Sequence, residues 1–405
     1  MIFKLARRNI FRNKKRSIIT VLSVFVAVFL ALLVRSMQLG VYANVIDNIA
    51  GKFTGYVQVH ARGYWEDKNL DNALHMTQGL RDSLLAHKGI RNLVPRLESF
   101  SLASTGSRTK AAVLTGMDPE AERLIYPVEK RLVEGDVFTL HEHAVCIGKG
   151  MAHYFDLKTG DTLYLIGQGY HGMSAAGRFT VKGIFDLSNG ELNRSLVLMP
   201  LPVLQEYLSA PGMLTNLILV KEENYPEDTL AGELSAGLGN DYEVMTWKEM
   251  LPILHQSIVA DNVGGLYMVF ILYMIIAFGI FSTVMMMTQE RLFELGIQIA
   301  IGMRKRLIIK SLWIESFLLS LTGLLAGIVV AFPILYYFHY HPVPLPSEKA
   351  KVLEKYGFIP EIPFSIDPSL FVTHGMIILL ITLFAALYPA VTVGKLDVLK
   401  AIQRK

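Results

Sequence analysis

Few residues of this chain are arranged for chemistry on a small molecule. His141-Glu142-His143 sets two imidazoles at i and i+2, on one face of a strand, as in some metal sites. No third ligand accompanies them, and a solvated turn is the plainer reading. His339 and His341 flank an apolar block and read as interfacial polar residues. His374 lies inside another block, where an imidazole can relay protons, but it stands alone. The only cysteine, Cys146, can form no internal disulfide and reads as a small buried apolar residue. Gly148-Lys149-Gly150 is too short to cradle a phosphate and lacks a Ser or Thr after the lysine. G-x-x-x-x-G-K-[ST], G-x-S-x-G, H-E-x-x-H and C-x-x-C do not occur. We therefore expect no catalytic residue, no metal and no cofactor held by this chain itself.

One segment carries a denser pattern. Residues 289–315 read QERLFELGIQIAIGMRKRLIIKSLWIE. Glu290, Arg291 and Glu294 stand before the apolar Leu295-Gly296-Ile297 and Ile299-Ala300-Ile301-Gly302 runs, and Arg304, Lys305 and Arg306 after them. Gly296 and Gly302 each cost a helix about 1 kcal/mol relative to alanine. They are tolerable where the helix bends or another backbone comes close. On composition alone this is an interfacial hairpin.

The elements that position this segment follow from hydropathy. The chain is 52% hydrophobic and 18% charged, against about 25% charged in soluble domains, and the apolar excess sits in four blocks. We read transmembrane helices over 17–39, 263–288, 312–338 and 369–393. Residues 1–16, with seven cations and no acid, form an amphipathic helix on the inner membrane surface. No small-x-small cleavage site follows promptly, so the first block reads as an uncleaved anchor. Segments 1–16, 289–311 and 394–405 are all basic, and four crossings place all three on one side, the cytoplasm. The insert 40–262 and the proline-rich loop 339–368 then lie outside, the loop with at most one short helix near 347–355.

The expected fold class is an α-helical membrane protein with four transmembrane helices plus a mixed α/β extracytoplasmic domain between helices one and two. Strands are expected over 56–60, 99–102, 110–114, 144–147, 162–166, 179–185, 196–199 and 216–220, and helices over 72–86, 119–126, 151–155, 202–208 and 226–238. Helix-compatible spacing at 36–49 and 247–263 makes stalks of the two spans that flank the domain.

The charged connection is where a resemblance enters. Glu290-Arg291, Phe293-Glu294-Leu295-Gly296, Ala300-Ile301-Gly302 and then Glu315 closely resemble the signature of FtsX/MacB-type permeases of ABC transporters. Leu5-Ala6, Arg8-Asn9-Ile10 and Arg16 resemble that family's start, and Tyr388-Pro389-Ala390, Leu396-Asp397 and Ala401-Ile402 its end. Gly116-Met117-Asp118-Pro119-Glu120, Gly135, Ile147-Gly148, Lys158-Thr159-Gly160-Asp161 and Trp247-Lys248-Glu249-Met250-Leu251-Pro252 are most similar to the lipoprotein-releasing subgroup. Val391-Thr392-Val393-Gly394 departs from it, standing where the family usually has Arg and Ala.

The resemblance implies a permease without ATPase activity of its own, in a bacterial inner membrane. It works with a cytoplasmic ABC ATPase dimer that holds ATP and Mg, and with a second permease copy or paralogue. Residues 289–306 become a coupling helix, with polar contacts from Glu290, Arg291, Glu294, Arg304 and Arg306. Ile297, Ile301 and Met303 are its apolar anchors, and Gly296, Ala300 and Gly302 complete the motif. Lipoprotein cargo, a periplasmic chaperone and membrane lipids are the implied partners, and nucleic acid is not. Acyl chains are expected to meet Val28, Leu32, Met37 and Val41 on span one and Val263, Leu266, Tyr267, Phe270 and Ile271 on span two. The spans hold almost no ionisable residue, which suits an apolar cargo better than an ion or sugar. An efflux permease for peptides or small molecules and a non-transporting signalling subunit are the alternatives. Gly323 and Gly327 read as a small-residue packing face.

Overall fold

The computed structural model describes Phe3, Arg8, residues 10–12, and residues 14–187, 190–346 and 361–397. Most of the expected N-terminal amphipathic helix, the short helix expected near 347–355 and the end of the tail lie outside the described residues. The chain divides into two compact units. A helical unit takes the residues up to Ala43, Ser257–Val343 and those from Glu361 on, and a globular unit takes Asn44–Gln256.

Among the described residues, four helices are long and apolar enough to cross a membrane, over Ser17–Thr54, Pro252–Glu290, Lys305–Tyr340 and Pro368–Gly394. All exceed the expected spans. The first is α1 (Lys14–Ile46), continued by π-type turns over Asp47–Thr54. The second, α2 (Pro252–Glu290), follows a separate four-residue turn, Trp247–Met250, with a Thr246/Glu249 capping box. The connection holds its own helix, α3 (Leu292–Ala300), before α4 (Lys305–Tyr340). The last block breaks at Ala386 into α5 (Pro368–Ala385) and α6 (Leu387–Gly394).

Hydropathy makes these segments helical, and small residues decide how closely they pack. A methyl group added at Gly323 or Gly327 of α4 would come within 2.7 Å of Val24 or 2.8 Å of Val28 on α1. The two glycines are thus where α4 meets α1 most closely, as expected. The segment before α5 is tied to α1 and α4. Ser36 donates to the Ser365 carbonyl at 2.6 Å, Ser365 N–H donates back at 2.9 Å, and His339 Nδ1 lies 2.7 Å from the Phe364 carbonyl.

The globular unit is mixed α/β, with ten strands in one sheet. They are β1 (Val57–Ala61), β2 (Ile90–Ser104), β3 (Thr109–Met117), β4 (Leu132–Gly135), β5 (Ala144–Gly148), β6 (Thr162–Gln168), β7 (Ser174–Phe185), β8 (Leu196–Pro200), β9 (Asn216–Lys221) and β10 (Tyr242–Thr246). The order is β10-β1-β9-β2-β3-β8-β5-β7-β4, and β6 pairs with both β2 and β7. Those two pairings close β2-β3-β8-β5-β7-β6 into a ring. Every strand of the ring sends side chains into one core, including Leu97, Leu114, Val197, Ile147, Val181 and Leu165. The open half, β10-β1-β9 and the start of β2, packs a second core against the helices Gln78–Leu85 and Glu227–Gly237.

All eight expected strands are present, several of them longer. The helix expected over 72–86 begins only at Gln78, where Thr77 caps it, and Leu74–His75 form a short strand instead. The helix expected over 119–126 ends at Glu122.

Candidate functional site

The connection between α2 and α4 is built around one buried ion pair. Arg291 breaks the helix at the end of α2, with φ −96° and ψ 0°, and turns its side chain inward. Its Nη1 donates to Glu315 Oε1 at 2.8 Å and Oε2 at 2.9 Å. The two side chains are only 4% and 2% exposed. Taking two charges out of water costs several kcal/mol per ion, so the pair persists only because each partner neutralises the other. Arg291 is therefore not on a contact surface, contrary to the expectation from its charge. Glu315, one turn-and-a-half into the apolar part of α4, is its anchor. Arg291 Nε makes no hydrogen bond and lies 3.9 Å from Glu294.

From that corner α3 runs for nine residues. Its inner face, Leu295 and Ile299, packs with Met303 against Ile308 and Leu312 of α4 and Val393 of α6. Met303, expected as an outward anchor, thus packs mostly inward, and Gly296 is buried mid-helix. The helix stops in a left-handed turn. Gly302 has φ +101°, its N–H donates to the Ile299 carbonyl at 2.9 Å, and Met303 N–H donates to Gln298 at 3.0 Å. This Schellman arrangement needs a residue without a Cβ, which accounts for the second glycine of the motif. Lys305 then donates to the Gly394 and Leu396 carbonyls at 3.0 Å, holding the end of α6. Gln289 donates to Tyr388 at 2.7 Å.

What remains outward is a mixed surface. Ile301 is 82% exposed and Phe293 42%, and Ile297 is half-buried. Glu290, Ala300, Arg304 and Arg306 are exposed around them. Glu294 is half-exposed and ion-paired with Arg12. An apolar knob ringed by charges of both signs suits a protein groove better than lipid or bulk water.

The expected cargo-facing residues separate into two groups. Val28 and Leu32 are fully buried in the bundle core, because α4 covers that face of α1 at Gly327. They are removed from the candidate surface. Met37 is partly exposed and Val41 half-buried. On α2, Val263, Leu266, Tyr267, Phe270 and Ile271 are all exposed, and Ile275 and Phe278 extend the same stripe. A polar tie between α1 and α2 is not signalled by any residue pattern. There Tyr42 donates to Asp261, and Gln38 donates to the Asp261 carbonyl at 3.1 Å.

Other candidates resolve simply. His374 is buried and hydrogen-bonded to Tyr273. Glu142 pairs with Lys182 at 2.6 Å, which lowers its pKa, and no metal-binding group occurs among the described residues. Cys146 is buried, and burial pushes its thiol up to about 12. The globular unit also bears an exposed apolar row that hydropathy does not single out, where Leu102 of β2 faces Ile166 of β6 beside Phe100.

Comparison with known proteins agrees with this organisation. Residues 17–231 match the MacB-like periplasmic core domain and residues 266–398 the FtsX-like permease C-terminal family. The chain is 23% identical over 250 residues to the lipoprotein-releasing system transmembrane protein LolC of Xylella fastidiosa, covering 59% of each. It is 23% identical over 331 residues to LolE of the same system in Haemophilus influenzae, covering 78% of each. The match therefore spans less than two thirds of the length of the LolC relative. The crystal structure of the periplasmic region of MacB from Actinobacillus actinomycetemcomitans aligns with 53% of this chain and 97% of its own, at 13% identity and a TM-score of 0.37. With one family match covering more than half of the chain and a second covering its last apolar helices, this chain belongs to the FtsX/MacB-type family of ABC transporter permeases.

Proposed function

We propose that this chain is the permease subunit of a transporter that draws lipoproteins out of the outer leaflet of a bacterial inner membrane, driven by a separate cytoplasmic ATPase. The carrying observation is α3, a short helix fixed from behind by the buried Arg291–Glu315 pair and presenting Ile301 between exposed charges. That is the form of a rigid docking element. The basic termini and the basic connection support a cytoplasmic position for it. ATP-driven closure of two ATPase subunits, pressing on α3 of two permeases, would tilt α2 and α4 as rigid bodies. The exposed, charge-free stripe from Val263 to Phe278 on α2 supports an apolar cargo, and the likeness to LolC and LolE of lipoprotein-releasing systems supports lipoproteins in particular.

The test is affinity isolation of the chain from native membranes in mild detergent, followed by mass spectrometry. A Walker-motif ATPase, a second permease and acylated proteins are the expected companions. An ATPase without acylated proteins overturns the cargo. No ATPase, repeated in lipid nanodiscs, overturns the transporter reading.

A further inference from the structure

A groove of about 760 Å³ runs along the helical unit between α1 and α4. Phe11, Ile18, Leu22 and Phe25 form one wall, and Leu318 and Ala326 belong to the other. Its volume is in the range of built small-molecule sites, yet its chemistry is that of a hydrocarbon slot. The two hydroxyls on its lining are already engaged, Ser17 with the Ile10 carbonyl at 2.9 Å and Thr322 with the Leu319 carbonyl at 2.8 Å. Apart from Lys14 at one end, the lining residues offer no unengaged polar side chain to a water column or a polar ligand.

Length and charge choose the occupant. From Lys14 to Phe25 the groove follows α1 for eleven residue steps, about 16 Å at 1.5 Å per residue, close to half of a hydrocarbon core about 30 Å thick. Lys14 stands at its basic end, with Lys15 and Arg8 exposed nearby in sequence, and no acidic residue precedes Asp47. We propose that this groove holds one acyl chain of an anionic phospholipid in the leaflet next to the basic end of α1, with the headgroup phosphate at Lys14. The site is separate from the α2 stripe, and the proposal needs only that α1 and α4 cross the membrane. Because Arg12 pairs with Glu294 of α3, the lipid would sit beside the docking element.

The full chain, purified and partly delipidated, is equilibrated with dioleoyl phosphatidylglycerol or dioleoyl phosphatidylcholine, and retained lipid is counted by native mass spectrometry. Wild type should retain one phosphatidylglycerol in clear preference. Lys14→Gln should weaken that retention about fivefold, the equivalent of about 1 kcal/mol for one basic residue at an anionic surface. Ala326→Trp should abolish it by filling the groove, whereas Leu380→Trp, on an exposed face of α5, should not. Leu22→Trp serves as a second groove-filling variant should Ala326→Trp fail to insert. Equal retention of both lipids, or retention unchanged by groove filling, overturns the proposal. A Leu22→Cys disulfide between two copies in native membranes also overturns it, since a second chain would then occupy the groove.

Discussion

Among the described residues, each unit of this molecule buries an arginine–glutamate pair, and the two pairs are built differently. In the globular unit Arg96 is fully engaged. Its Nε donates to Glu122 Oε2 at 3.2 Å, its Nη2 to Oε1, and its Nη1 to the Phe53 carbonyl at 2.6 Å, with the Phe53 ring 5.2 Å away. Burial works against the charge, but Glu122 outweighs it and raises the pKa above the usual arginine value. In the helical unit Arg291 bonds both oxygens of Glu315 through Nη1 and leaves Nε unbonded beside Glu294. A guanidinium bonded through all three nitrogens is held in one arrangement. One with an idle donor near a second carboxylate has an alternative within reach, which is what a moving joint requires. The first pair is a strut, and the second holds its corner with one donor to spare.

The largest effect should come from breaking the strut. Arg96→Met leaves Glu122 buried and unpaired and should cost the globular unit about 3–5 kcal/mol, and joining it to Glu122→Leu should recover most of that loss. Near-UV circular dichroism of the nanodisc-embedded chain in urea measures both. A loss under about 1 kcal/mol would remove the strut from the comparison.

Acid loads the globular unit next. Burial pushes His60 down to about 4, aided by Lys68 and opposed by the Thr215 carbonyl. Above pH 6.5 the histidine is neutral in both states and stability is full. Between pH 6.5 and about 4 the unfolded chain gains a proton that the folded one refuses, so stability falls as pH falls, by about 3 kcal/mol in all. His60→Gln should flatten that slope, and unchanged melting curves across this window would refute the assignment.

Arg291→Gln should cost less, about 2 kcal/mol, because the glutamine amide can still donate a hydrogen bond toward Glu315, whereas methionine offers Glu122 no donor. Its signature is local, namely faster hydrogen exchange across Leu292–Ala300 with exchange in the globular unit unchanged. Exchange rising equally in both units would show Arg291 to be a second strut. Smallest in stability is Glu294→Lys, within about 0.5 kcal/mol for an exposed pair. It should nonetheless uncouple ATP hydrolysis from function, and full function with normal ATPase stimulation would dismiss the docking surface.

Much of this architecture is legible in the amino-acid order. The four apolar blocks and the strand cores stand where hydropathy and alternation put them, and the glycine-bearing connection forms a short helix between the second and third blocks. Gly302 terminates α3 for the reason its type suggests. Facing is what was not legible. Lipid and bundle interior are equally apolar, so Val28 and Leu32 resemble Leu266 and Phe270 until α4 is seen to cover them. Arg291 looks like any exposed arginine because its partner lies 24 residues on, inside an apolar run. β4 and β10 escape detection because LVEG and YEVMT offer little alternation, and their pairing comes from neighbours distant in sequence.

The brevity of α3 also governs the order of assembly. Helices shorter than about 12 residues are marginal in water, and α3 has nine. It is helical because Arg291, the Gly302 turn and the packing on α4 and α6 hold it so. A chain whose bundle has not yet closed would offer its partner only a loose ribbon, and a damaged one would withdraw the handle. If α3 is the docking element proposed above, engagement of an energy-consuming partner is thereby reserved for copies that have already folded, an inspection step that needs no additional protein.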